Sequence, residues 1–306
     1  MAHYEVMTEG LRFPEGPVVM PDGSVIVVEI EAGRITRCYP DGSKKTVAEP
    51  GGGPNGLAMG PDGKLYCVNN GGFNWNHSGG YIAPHGIASD YSGGRVERID
   101  IETGMVEILY KSGDFGHTLR GPNDIVFDAH GGFWFTDHGK QDFSSRCHDI
   151  VGIFYGKTDG SLLEEVIFPS ANPNGIGLSP DGKTLYAAET YTCRLMKFNV
   201  IAPGKVDDAA GPGGPGMHVY RPAGFKYFDS LGMEASGNIC VATIGESGIS
   251  VISPDGELVE FFATDDIFTT NIAFGGDDMK DAYITLSGSG RLIKTRWARP
   301  GLVLEY

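Results

Sequence analysis

The chain has 306 residues and a formal net charge of −15. An acidic balance of this size argues against nucleic acid and anionic membrane surfaces as partners. No apolar run approaches the length needed to span a bilayer. The five cysteines, at 38, 67, 147, 193 and 240, are odd in number and show no C-x-x-C spacing, so a reduced, cytoplasmic chain is expected. The first residues, MAHYEVMTEGLRF, have neither a basic leader nor an apolar core, and no signal peptide is expected.

Read in order, the chain repeats one phrase: a polar residue after proline, a short apolar run, a Gly-centred turn, and a second apolar run. It appears as PEGPVVMPDGSVIVVE from Pro14, PNGLAMGPDGKLYCVN from Pro54, PNDIVFDAHGGFWFTD from Pro122 and PNGIGLSPDGKTLYAAE from Pro173. Looser copies are FDSLGMEASGNICVAT from Phe228 and TNIAFGGDDMKDAYIT from Thr270. β-Branched and aromatic residues around a tight Gly turn predict a β-hairpin in each copy. The polar slot is held by Glu15, Asn55, Asn123, Asn174, Asp229 and Asn271, at intervals of 40, 68, 51, 55 and 42 residues.

Each hairpin is followed by two more strand-like pieces, such as GRITRCYP and KKTVAE after the first, or SGISVISP and LVEFFA after the fifth. Six repeats of four strands predict an all-β chain, a six-bladed β-propeller formed by residues 1–306 as one domain. YEVMTEGLRFPEG has the form of the segments that lead into the other slots. Tyr4–Met7 is therefore expected to be the outer strand of the sixth blade, closing the ring and covering an open edge. The tail GLVLEY competes for that edge. Residues 71–94, rich in Gly, His and aromatics, interrupt the second blade. They are expected to form a loop or lid over the channel mouth, on the side of the polar slots. Ala202–Gly216 reads as a flexible loop in blade four.

Equivalent positions on the innermost strands of a propeller meet around its central channel. The six slot residues therefore form a ring of oxygen donors with two carboxylates. Such a set, without Cys or His, suits a hard divalent cation. The residues admit Ca, Mg, Mn, Fe or Zn, and calcium is the first expectation. Asn and Asp also cap turns, but turn capping does not require six copies in register.

With EGP at Glu15, NGL at Asn55, PND at Asn123, NG at Asn174, Asp229, and the closing TNIAFGG…YIT…GSGRL, the chain resembles the family of gluconolactonases, regucalcin (senescence marker protein 30) and luciferin-regenerating enzyme. The resemblance covers essentially the whole chain. It implies a six-bladed propeller with one divalent metal at the channel mouth, held by Glu15, Asn123, Asn174 and Asp229. It also implies a hydrolase of small molecules that opens a sugar lactone or related lactone with metal-activated water, with Asp229 as general base or, in phosphotriesterase-like relatives, as direct nucleophile. Asn55 and Asn271 then contact substrate or support the ligands.

Two departures bear on the substrate. Where regucalcin-like sequences carry a substrate-binding Arg two residues before the blade-three Asn, this chain has Gly121, with Arg120 one position further back. His138 follows Asp137 where gluconolactonases commonly have Pro. Arg120 and His138 are therefore the candidate substrate contacts on blade three, while His77 and His85 of the insertion are the weaker ones. The leading expectation is a metal-dependent lactonase. The alternatives are a hydrolase of another ester or phosphotriester, directed by the aromatic insertion, and a non-catalytic calcium- or ligand-binding propeller.

Overall fold

The computed structural model describes residues 3–207 and 215–306. Six antiparallel sheets, each built on four strands, form the blades of a β-propeller. Blade one runs outward through Pro14–Val19, Val25–Glu29, Arg34–Cys38 and Lys44–Ala48. The second strands are the most buried: every residue of Val25–Glu29, Leu65–Asn69 and Gly132–Asp137 is enclosed. The reason is that both faces of each sheet pack against neighbouring blades, so these strands read as continuous apolar runs. The outer strand Lys44–Ala48 is mostly exposed.

Six apolar clusters hold the molecule together, one between each pair of adjacent blades. Tyr66, Phe127 and Phe133 join blades two and three, Trp134 and Ile176 join three and four, and Tyr186 and Phe228 join four and five. Met7, Leu11, Val25 and Tyr283 join the sixth blade to the first. The outer strand of blade six is Glu5–Thr8, one residue later than expected, with Glu5 opposite Lys294 and Val6 opposite Ile293. The C-terminal residues do not take that edge. Gly301 bridges to Glu234, and the Leu302 N–H donates to the Met233 carbonyl at 2.8 Å, on blade five.

The 71–94 segment carries a hairpin, Phe73–Ser78 with Tyr81–Ile87. It leaves blade two and meets blades one and six. Trp75 packs 5.1 Å from Phe13, His77 Nε2 lies 2.6 Å from Glu31 Oε1, and the Ile82 N–H donates to the Gly288 carbonyl. Contacts with Phe13, Glu31 and Gly288 of the neighbouring blades hold it as a strand pair where composition suggested a loop. Of Ala202–Gly216, residues 208–214 lie outside the described residues. The near flank continues the strand Arg194–Ala202 and turns back through Lys205–Val206.

Buried carboxylates clip the ends of the blades. Glu234 is fully buried and accepts hydrogen bonds from Trp297 Nε1 at 2.7 Å, Arg299 Nε at 2.7 Å and Asn238 Nδ2 at 2.8 Å. Burial pushes its carboxyl up, but these bonds outweigh that effect and hold it below the usual range. Glu29, bonded to Arg34, Thr36 and the Arg12 N–H, behaves the same way. A carboxylate with a lowered folded pKa contributes fully above its unfolded value of about 4.3 and loses that contribution as pH falls through the folded value. Glu234→Gln is therefore expected to cost about 2 kcal/mol at neutral pH. It should also flatten the loss of melting temperature below about pH 4.3. A variant whose melting curve tracks the wild type at every pH would remove the assignment.

Candidate functional site

All six slot residues sit at the start of an innermost strand, and in all six blades the pairing of that strand with its neighbour slips at or beside the slot. A bulge there frees the side chain from the regular alternation and re-aims it. Proline opens four of these strands, at Pro14, Pro54, Pro122 and Pro173. A strand's first residue on the channel edge is where a missing N–H costs least.

The residue after the slot sets how closely adjacent blades approach. A Cβ at Gly16 would lie 2.6 Å from the Asn55 carbonyl oxygen. One at Gly56 would lie 2.7 Å from the Asn123 carbonyl oxygen, and one at Gly175 2.6 Å from the Leu231 nitrogen. Only glycine allows these backbone contacts. Blade three has Asp124 at this position. Its Oδ1 accepts from the Ile125 N–H at 2.9 Å and its Oδ2 from the Ile176 N–H of blade four at 3.2 Å, so it braces two blades from within the channel.

Within the ring, Glu15 is buried, and one of its oxygens is committed. Oε2 accepts from the Gly16 N–H and from Asn271 Nδ2, both at 2.7 Å. Oε1 is enclosed and has no hydrogen-bond partner among the described residues. Asn123 Oδ1 is likewise buried and unpartnered. Asn174 donates from Nδ2 to Thr190 Oγ1 at 3.2 Å, and its Oδ1 accepts from Ser230 Oγ at 3.3 Å. Asp229 keeps partial exposure, with Asn174 and Ser230 beside its carboxyl. Burial and the nearby Glu15 charge push the Asp229 carboxyl well above its ordinary value, against the lowering effect of Asn174, with Asp124 adding to the rise. Burial raises Glu15 as well. Asp124 is pushed up to about 8 by burial and then by Glu15.

Carboxylates confined together at this cost suit a cation. Among the described residues no group of three His, Cys, Asp or Glu is arranged to hold a metal by itself. The ring offers a different donor set, carboxylate and amide oxygens, which hard divalent cations accept. Two buried acceptors without donors, Glu15 Oε1 and Asn123 Oδ1, fit such an ion, since native proteins rarely leave such atoms unpaired. Asn271 does not share that character. Its Oδ1 accepts from the Ile272 N–H at 2.8 Å while its amide steadies Glu15. Asn55 is buried on blade two within the same ring.

The two blade-three candidates differ. The Arg120 side chain is drawn to Asp149, 3.5 Å away, and its backbone is tied to Asp137 and Tyr91. Asp137 accepts three backbone N–H bonds, from Arg120, Gly121 and Gly139, and so shapes the loop. His138 is partly exposed, has an enclosed, unpartnered Nδ1, and lies against Tyr191 with ring centroids 5.6 Å apart. Burial, and then the Lys140 charge, lower its pKa to about 4, so the ring is neutral at physiological pH. His77 pairs with Glu31 and His85 stacks on Phe143, which makes both parts of the loop framework.

Two features escaped the repeat pattern. One is the position of Asp124 in the channel, which the PND variant of the PNG phrase signals. The other is Lys140, whose buried amine donates to Asn70 Oδ1 at 3.0 Å and to the Gly72 carbonyl at 2.9 Å, 3.5 Å from the Phe73 ring centre. Burial lowers its pKa to about 7. It pins the blade-two excursion to blade three, and no spacing in the sequence announces it. Below the ring, a channel cavity of about 1500 Å³ extends past Met59 and Leu178 to the C-terminal Leu302–Tyr306, at the end remote from the slot residues.

A family model described as SMP-30/Gluconolactonase/LRE-like region matches residues 13–288. The chain is 27% identical to lactonase drp35 of Staphylococcus haemolyticus over 82% of this chain and 69% of the relative. It is also 27% identical to the diisopropyl-fluorophosphatase of Loligo vulgaris, over 82% of this chain and 78% of that one. Its fold is shared with a calcium-binding protein, regucalcin, from Agrobacterium tumefaciens. That structure superposes with a TM-score of 0.72 at 19% identity, covering 99% of this chain and 98% of the other.

Proposed function

Because the chain belongs to the SMP-30/gluconolactonase/LRE-like family of hydrolases, we propose that it opens a lactone ring by hydrolysis, with Glu15, Asn123, Asn174 and Asp229 holding one divalent cation, calcium in the first instance. The observation that carries this reading is the pair of buried acceptors without donors, Glu15 Oε1 and Asn123 Oδ1, in the same ring as Asp229. When bound, the cation polarises the substrate carbonyl and stabilises the oxyanion that develops there.

The chain's own residues supply the rest. Gly16 and Asn271 hold Glu15 by one oxygen and so fix where the other points. Thr190 and Ser230 fix Asn174 in the same way. Asp229 takes the proton from the attacking water; amides cannot do so at neutral pH. Asn55, Asn271, Arg120 and the neutral His138 contact the substrate, with Arg120 reaching it only by leaving Asp149. The 71–94 hairpin serves as a lid over this end of the channel, held by Lys140. The similarity to a fluorophosphatase favours, as second reading, an ester or phosphotriester attacked at the same site.

The test is a panel of lactones and esters assayed by acid release, on chelator-stripped protein with each metal added back. Stripped protein should be inactive, and calcium should restore lactone hydrolysis. Saturating metal, at about a hundred times its dissociation constant, should stabilise the fold by about 2.7 kcal/mol. Asn174→Ala should weaken metal binding and recover part of its activity in excess metal. Turnover of phosphotriesters alone would select the second reading. Metal-induced stabilisation without turnover of any substrate would leave only a binding protein.

A further inference from the structure

Beside Asp229 the structure carries an aromatic wall that neither the metal ligands nor the proposed base account for. His138 of blade three, Tyr191 of blade four, and Tyr227 and Phe225 of blade five form a continuous run of rings. Successive centroids are 5.6, 5.8 and 4.9 Å apart, with the last two pairs edge to face. The run is anchored at the site. Tyr191 follows Thr190, whose hydroxyl accepts from Asn174, and Tyr227 lies two residues before Asp229. Burial above all pushes the Tyr191 hydroxyl up to about 12, so it remains protonated. The outer end is not packed away. Phe225 is 83% exposed and Tyr191 43% exposed. A phenylalanine open to this degree, in series with three other rings, is an exposed apolar surface.

The wall is also electrically quiet. His138 is neutral, and Lys226, between Phe225 and Tyr227 in the chain, is paired with Glu246. Arg120, the expected reader of a sugar hydroxyl, is turned to Asp149. A polyhydroxylated lactone would find few charged or amide groups along this wall. A flat apolar group would find rings at stacking and edge-to-face distance.

We propose that His138, Tyr191, Tyr227 and Phe225 form the specificity subsite for the part of the substrate that does not react, and that this part is an aryl or similarly flat apolar substituent on the lactone. The inference rests on the lactone-hydrolase reading for the reaction, but the wall's selectivity can be measured without turnover.

The experiment uses the calcium-loaded protein and three δ-lactones: phenyl-substituted, unsubstituted and polyhydroxylated. The phenyl lactone should have kcat/KM about tenfold above the unsubstituted one, from one added ring contact and its burial. In Phe225→Ala and Tyr191→Ala that ratio should fall toward one, and in Phe225→Trp it should be kept. In parallel, calorimetry measures binding of the phenyl-substituted and unsubstituted hydroxy acids, the ring-opened products. The phenyl acid should bind about tenfold tighter to wild type, and the difference should disappear in the alanine variants. Because Phe225 is exposed, its truncation should leave the melting temperature unchanged. Selective binding without hydrolysis of any lactone would overturn the reaction and leave the subsite standing. Equal binding of the two acids, or a higher kcat/KM on the polyhydroxylated lactone, would overturn the subsite whatever the reaction.

Discussion

Asp229→Asn is expected to leave most of the metal affinity in place and to depress turnover by on the order of a hundredfold or more, the scale on which general-base loss is felt. Asparagine keeps the side chain's size and one carbonyl oxygen, so the ring keeps its donor count, but it cannot accept a proton. The environment argues for this residue over its neighbours. Asp229 retains partial exposure, and its carboxyl is raised by burial and by Glu15. Asp137 is spent on three backbone N–H bonds, and Asp124 is braced by Ile125 and Ile176 inside the channel. Glu15 is tied by one oxygen, and the other has no hydrogen-bond partner among the described residues. The check is kcat at saturating metal on the best lactone, with metal affinity measured separately on the same variant. Near-normal turnover would reduce Asp229 to a ligand and move the search for the base to Asp124 and His138.

Much of this site could be read before any coordinates because the propeller repeats. A slot residue after proline recurs in register, and register on the innermost strands is position around the channel. Glu15, Asn55, Asn123, Asn174, Asp229 and Asn271 were legible for that reason alone. What the repeat does not encode is how each side chain is held. That Asn271 supports Glu15, and does not stand beside it as an equal donor, depends on a bond between residues 256 apart in sequence. The substitution of Asp124 for the usual glycine was visible, but its place in the channel follows from blade packing. The insertion was legible as an interruption. Its hairpin was not, because Phe13, Gly288 and Glu31, which hold it, come from blades one and six. Lys140 was hidden for the same reason: a lysine in a loop is ordinarily solvated, and only tertiary contacts bury it.

Deletion of residues 1–8 is expected to lower the melting temperature by about 10 °C or more, because it removes the outer strand of one blade and part of two inter-blade clusters. Met7 is buried between blades six and one, and Tyr4 packs against the cluster between five and six. The loss of Met7 alone is worth about 2–5 kcal/mol. The strand's hydrogen bonds to Arg291–Arg296 add about 1 kcal/mol each. Deletion would also bare the N–H and C=O groups of Arg291–Arg296 as a free edge, a template for pairing between molecules. The tail cannot substitute, since Gly301 and Leu302 are bonded to Glu234 and Met233 on blade five. Met7→Ala keeps the strand and should show only the packing share, a drop of about 5 °C. Differential scanning calorimetry on the three proteins reads both steps. If the deletion melted no lower than Met7→Ala, strand pairing would contribute nothing, and ring closure would rest on the side-chain clusters alone.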